Sequence, residues 1–310
     1  MHPAFSILFF TTLAGAAQGL VFALALAALF GLALAPGFVG IALGVAEVLL
    51  VAGLAASFLH LGRKMRAWRA VLMWRTSWMS REVIVLPAFI ALVALWSVSL
   101  RFGAGAPWTW LLPLLVLCGA VLLWYCTAMI YACLRFIEEW AHPLTVVNFT
   151  LIGLSSGLVL ACALAALWGE AHFVQFFGPW AFVATLAAWG ARSGALRRNA
   201  RLRHKSTLQS ATGIRTHKLV QKSMGMSAGS FNTREFFHGA TRAMLGNVKL
   251  AFLLLAFALP AALAVFGIAS AAAWPWLLAV AVQAPGLLAE RWFFFAQAKH
   301  PQNLYYQVVS

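Results

Sequence analysis

The chain contains no aspartate. Its seven acidic residues are all glutamate, and charged residues of both signs make up only 9% of its 310 residues. A soluble domain typically carries about 25% charged residues, so too little charge is present here to cover a water-facing surface. Hydrophobic residues reach 63%, and mean hydropathy is +0.88. An ordinary soluble globule is excluded, and the expected solvent is lipid. Cysteine is also scarce. Cys118, Cys126, Cys133 and Cys162 all fall within apolar stretches, and no CxxC occurs. That pattern argues against zinc or iron–sulfur ligation and fits small thiols packed between helices. Bis-histidine haem needs facing histidines inside a bundle, yet of eight histidines only His60 falls within an apolar run, and it is terminal. No mid-span lysine is available for retinal. No phosphate-cradling glycine loop or serine-hydrolase elbow is present. The expectation is a scaffold with a small-molecule site and no haem or metal of its own.

What the chain does have is long apolar runs. A membrane span needs about 20 apolar residues. Eight runs qualify, at 7–34, 38–60, 81–101, 108–133, 144–168, 173–191, 249–270 and 273–292. The fold class they predict is all-α: one integral membrane bundle of eight transmembrane helices, a single domain over 1–310. The first run is too long for a signal-peptide h-region and lacks a basic n-region. Pro36-Gly37 separates the first two runs and Pro143 opens the fifth. Pro260 and Pro285 fall inside the last two, where neighbouring helices can satisfy the freed carbonyls. The sixth run is the shortest.

Twenty-two Lys and Arg against seven acids give a net charge of +15. In a soluble protein that excess would suggest nucleic acid. In a spanning chain it points to the positive-inside rule instead, and no nucleic-acid partner is implied. Eight spans put both termini on one face, together with the connections after spans two, four and six. Every Lys and Arg except Arg101 falls on that face. The basic loops and both termini are therefore expected in the cytoplasm.

Two basic connections are more than turns. Residues 61–80 interleave Arg63, Lys64, Arg66, Arg69 and Arg75 with Met65, Trp68, Val71, Leu72, Trp74 and Trp78. That mixture reads as an amphipathic segment in the membrane interface, with lipid as its partner. Residues 192–247 form a long basic loop, expected to dock a partner subunit.

Ionisable residues at membrane depth are expensive and are functional candidates for that reason. His60 closes the second span and Glu82 opens the third, at the same face. Two readings stand. They cap helix ends at the headgroups, where the helix dipole favours Glu82. Alternatively they share a pocket in which a quinone carbonyl meets imidazole and a carboxyl relays a proton. Glu47, near the middle of the second span, is either bonded to a neighbouring helix or part of a proton path. Glu138 and Glu139 are expected to offset nearby arginines, and Glu170 to be solvated.

The stretch LHLGRKMRAWRAVLMWRTSWMSREV, residues 59–83, resembles the LHLG…MRA…SxE segment of the dimethyl sulfoxide reductase membrane anchor subunits. HPAFS near the start, SFNTREFFHG at 230–239 and ERWFFFAQAKHPQNLYY at the end also resemble that family. The similarity extends to anchors of cytoplasm-facing sulfite-oxidising complexes and covers essentially the whole chain. It implies a complex of three subunits, the other two being a molybdopterin catalytic protein and an iron–sulfur protein of four clusters. In that complex the anchor binds a quinone, ubiquinone or menaquinone. By the same resemblance His60 and Glu82 correspond to the family's quinone-site pair. Arg63, Arg66 and Trp78 lie in the matching segment.

A rival reading is a secondary transporter with Glu47 as coupling carboxylate and the proline-kinked last spans lining a path. No inverted repeat is evident in the sequence. Transport would show as activity of the isolated chain in liposomes. The charge asymmetry makes its own prediction. A reporter fused after Ser310 should give a cytoplasmic signal, and a periplasmic one would overturn the orientation.

Overall fold

Apolar runs bounded by helix-ending signals become, among the described residues, eight helices long and apolar enough to cross a membrane. The computed structural model describes residues 2, 4–59, 61, 63–103, 105–220 and 239–305. The spans are α1 (Phe5–Leu29), α2 (Pro36–Leu59), α3 (Trp78–Arg101), α4 (Trp108–Ala132), α5 (Pro143–Trp168), α6 (Ala171–Ala200), α7 (Arg242–Ser270) and α8 (Trp274–Ala296). The chain is a multi-pass, all-α membrane protein. Local chemistry sets the helix ends. Pro143 opens α5 without wasting an amide, and the His142 ring accepts from Leu144 N–H at 3.1 Å. Gly169 closes α5 in the left-handed region at φ 83°, which costs glycine little.

The helices form two four-helix units of the same order. Helices α1 to α4 pack in sequence, with α4 closing onto α1. Helices α5 to α8 repeat the arrangement, with α8 closing onto α5. Each unit has four spans, so both start from the same face. This parallel repeat is compatible with the lack of an inverted one in the sequence.

The seam between the units is glycine. Gly15 and Gly19 on α1 cross Gly153 and Gly157 on α5, each pair spaced small-xxx-small. A Cβ on Gly19 would lie 2.8 Å from the Gly157 Cα, and one on Gly157 would overlap the Gly19 backbone. Contact this close excludes any side chain.

Three boundaries differ from expectation. Helix α1 ends at Leu29, not near 34. Helix α6 has 30 residues, about 45 Å at 1.5 Å per residue, and so continues beyond a hydrocarbon core of about 30 Å. Helix α7 starts at Arg242, not 249. The basic connection expected over 192–247 therefore contracts to 201–241. Within it, a short helix, Leu208–Thr212, carries a Thr207–Ser210 capping box, and 221–238 lie outside the described residues.

The connections are pinned by glutamates, though not as predicted. Glu138 accepts from Lys205 N–H at 2.9 Å, while Arg198 donates to the Glu138 carbonyl at 3.0 Å and not to its carboxylate. Glu139 faces His204 at 3.5 Å. Glu170, expected in solvent, accepts from Ala35 N–H at 2.8 Å. It thereby ties the α1–α2 connection to the α5–α6 connection on the opposite face.

Two arginines are misplaced by any loop reading. Arg192 lies inside α6, 2% exposed, and its Nε is 2.6 Å from Glu290 on α8. Arg291 is also buried, 3.4 Å from Glu290, with its guanidinium 3.9 Å from the centre of the Phe149 ring. Two cations and one anion thus sit inside the second unit, near its basic end.

Two stability predictions follow from the packing. Gly157→Ala should lower the unfolding midpoint of the detergent-purified chain, with an overpacking cost of about 1–3 kcal/mol or more. Gly44→Ala, where a Cβ meets nothing within 4 Å, should leave it near wild type. Glu290→Gln should cost about 3–5 kcal/mol by stranding buried arginines, measured by chemical denaturation. An unchanged denaturation midpoint would show that the ion cluster does not hold the helices.

Candidate quinone site at the basic end of the first unit

Helix α3 begins where the interfacial segment ends. Ser77 caps it, accepting from Ser80 N–H at 3.4 Å. One turn in, Glu82 points into the first unit and is 7% exposed. Its Oε1 accepts a hydrogen bond from the Thr127 hydroxyl on α4, and both groups are buried. A carboxyl in an apolar bundle needs a partner, and Thr127 supplies one donor.

Trp78 lies four residues before Glu82, on the same side of α3. Its ring is half-buried and meets Tyr125 of α4 edge-on at 5.3 Å. Arg81 covers the Trp78 ring at 4.0 Å. The same guanidinium donates to the carbonyls of Trp74 and Arg75, both at 2.9 Å. Trp78, Arg81, Glu82, Tyr125 and Thr127 therefore form one α3–α4 surface at the basic end. Its parts are a carboxyl, a hydroxyl donor and flat aromatic edges. Groups of these kinds suit a planar carbonyl compound and a proton exchanged with it.

The remaining predicted positions are spread out. Arg63 and Arg66 are exposed, at the start of a 3-10 helix over Lys64–Met73. Glu47 is half-buried on α2, and its Oε2 is buried with no hydrogen-bond partner among the described residues. His60 lies outside the described residues. Among the described residues, no group of three or more His, Cys, Asp or Glu is placed to hold a metal ion.

Sequence reading missed Thr127 as the partner of Glu82. It also missed the Arg192–Glu290–Arg291 cluster. The available signal was the Glu-Arg dipeptide near the end of an apolar run, with Arg192 just past another. A cavity of about 10 Å³ at the seam is lined by Thr11, Thr12, Ser156 and Arg291 among others. It is about the size of one water and is not lined by Glu82.

Residues 1–295 match the family model described as DMSO reductase anchor subunit (DmsC). The chain is also 48% identical, over the full length of both proteins, to a sulfite dehydrogenase subunit of Allochromatium vinosum. The match of the family model to nearly the whole chain shows that this protein belongs to the DMSO reductase anchor subunit family.

Proposed function

We propose that the chain is the quinone-binding membrane anchor of a molybdopterin and iron–sulfur complex that oxidises sulfite. The observation that carries this reading is the buried Glu82 carboxyl, held by Thr127 beside Trp78 and Tyr125, in a chain of the anchor family. The name of the 48% identical relative favours sulfite as electron donor over a quinol-driven reduction of a sulfoxide. The iron–sulfur subunit, with four clusters, and the molybdopterin subunit would dock on the basic face. Complementary charge there speeds encounter and fixes register.

A quinone bound at the α3–α4 surface supplies two-electron, two-proton redox chemistry. The chain's own residues handle the protons and the geometry. Glu82 holds or passes one proton, and Thr127 fixes which carboxylate oxygen is free to do so. His60, by its place in the family segment, binds the second carbonyl. Trp78 and Tyr125 bound the site edge-on. Arg63 and Arg66 place positive charge at the entrance. Glu47, with its buried unpartnered oxygen, is the candidate for a proton path from deeper in the first unit. The termini lie in the cytoplasm of a bacterial inner membrane.

His60→Ala and Glu82→Gln, each introduced into the whole complex, should leave subunit assembly and metal content unchanged. Quinone-linked turnover should fall about tenfold or more, the scale lost with an acid–base group. Turnover with an artificial, water-soluble electron acceptor should stay at the wild-type level. Wild-type quinone turnover in both variants would remove the site from this surface.

A further inference from the structure

The connection between α2 and α3 is wound as a 3-10 helix for ten residues, Lys64–Met73. Such helices rarely run beyond about four residues. Trp74 continues the winding at φ −59°, ψ −26°, within the 3-10 range. At three residues per turn, side chains three apart stand in line. Residues 64–75 thus resolve into three rows. Met65, Trp68, Val71 and Trp74 form an apolar row. Arg66, Arg69, Leu72 and Arg75 form a row dominated by guanidinium groups. Lys64, Ala67, Ala70 and Met73 form the third.

The middle of the third row faces the protein, while Lys64 and Met73 at its ends are exposed. Ala67 and Ala70 are the half-buried residues of the segment, which packs against α3. The apolar row is uncovered by the chain, with Met65 91%, Trp68 63% and Trp74 52% exposed. Arg69 and Arg75 reach over the rings of Trp68 and Trp74, at 5.6 and 5.4 Å. An α-helix, at about 100° per residue, would scatter these residues around the axis. The 3-10 winding is what separates them. Arg81, bonded to the carbonyls of Trp74 and Arg75, secures its end.

We propose that residues 64–75 form a binding site for anionic phospholipid. The segment joins the basic ends of two spanning helices, which sets it at headgroup depth. There the apolar row enters the acyl boundary, and Arg69 and Arg75 meet lipid phosphates and acidic headgroups. A zwitterionic lipid satisfies the aromatic row but only part of the arginine row. An acidic protein would engage the arginines and leave Met65, Trp68 and Trp74 uncovered. This inference is independent of the quinone reading.

The test uses the full chain purified in detergent and titrated with mixed micelles of phosphatidylcholine, with or without phosphatidylglycerol. Phosphatidylglycerol should raise the unfolding midpoint saturably above the phosphatidylcholine baseline. R69Q/R75Q should lose at least half of that rise and keep its baseline midpoint, whereas R201Q/R203Q on the next basic connection should keep the rise. W68A/W74A should lose stabilisation by both lipids. Equal midpoints with the two lipids would overturn the proposal, as would equal losses in the two arginine pairs. So would an intact lipid response in R69Q/R75Q together with failure to retain a partner subunit. That last result would assign the arginine row to protein docking.

Discussion

The close passage of α1 over α5 is the contact on which the rest of the molecule depends. Between lipid-embedded helices there is no hydrophobic driving force of the kind found in water, so association relies on packing. Four glycines let two backbones touch, and the two four-helix units meet along that line. Helices α4 and α8 then close against the opposite unit's first helix. The seam cavity, the stacking of Tyr131 on Phe149 at 5.4 Å and the perch of Arg291 on Phe149 all lie where the units meet.

Lipid also dictates how polar groups are treated inside each unit. Pro260 removes an amide and frees a carbonyl one turn before it. That carbonyl, of Ala256, accepts from the Gln283 side chain of α8 at 3.2 Å. Gln283 also reaches Ser155 at 3.2 Å, and Ser155 bonds Thr185 at 2.7 Å. A wider turn over Leu253–Ala258 accommodates the change of register. The same logic governs charge. Glu82 is buried with one hydroxyl, whereas Glu290 is buried with two guanidiniums. The first arrangement leaves a carboxyl that can exchange a proton. The second holds its carboxylate between cations, as a structural lock does. Each unit thus carries a buried glutamate near its basic end, one held by a hydroxyl and the other by two guanidiniums.

The excess of positive charge does not have a single role. Arg192 and Arg291 are used inside the bundle. Arg198 braces a connection through the Glu138 carbonyl. Arg81 ends the 3-10 helix and covers Trp78. Arg66, Arg69 and Arg75 of the α2–α3 connection are exposed. Several of the basic residues that make the charge one-sided thus also have specific contacts.

The number of spans and the one-sided basic face were legible in the sequence, because both depend on composition along the chain. So was the prominence of Glu82, since an acid opening an apolar run stands out, and so was the family segment at 59–83. The freed carbonyl at Pro260 was foreseeable in kind, though its partner was not. What the sequence could not determine were pairings between distant positions. Arg192 read as the start of a loop because the sixth apolar run thins before its helix ends. Only the fold brings Glu290 across the second unit to meet it. Thr127 is a polar edge on an apolar run, and only the packing of α3 against α4 makes Glu82 its partner. The three rows of 64–75 exist only at three residues per turn, and that winding is set by Arg81 and by packing against α3. Hydropathy and charge act residue by residue and survive in one dimension; partner choice, helix pitch and backbone contact depend on which surfaces meet, and only the tertiary structure decides that.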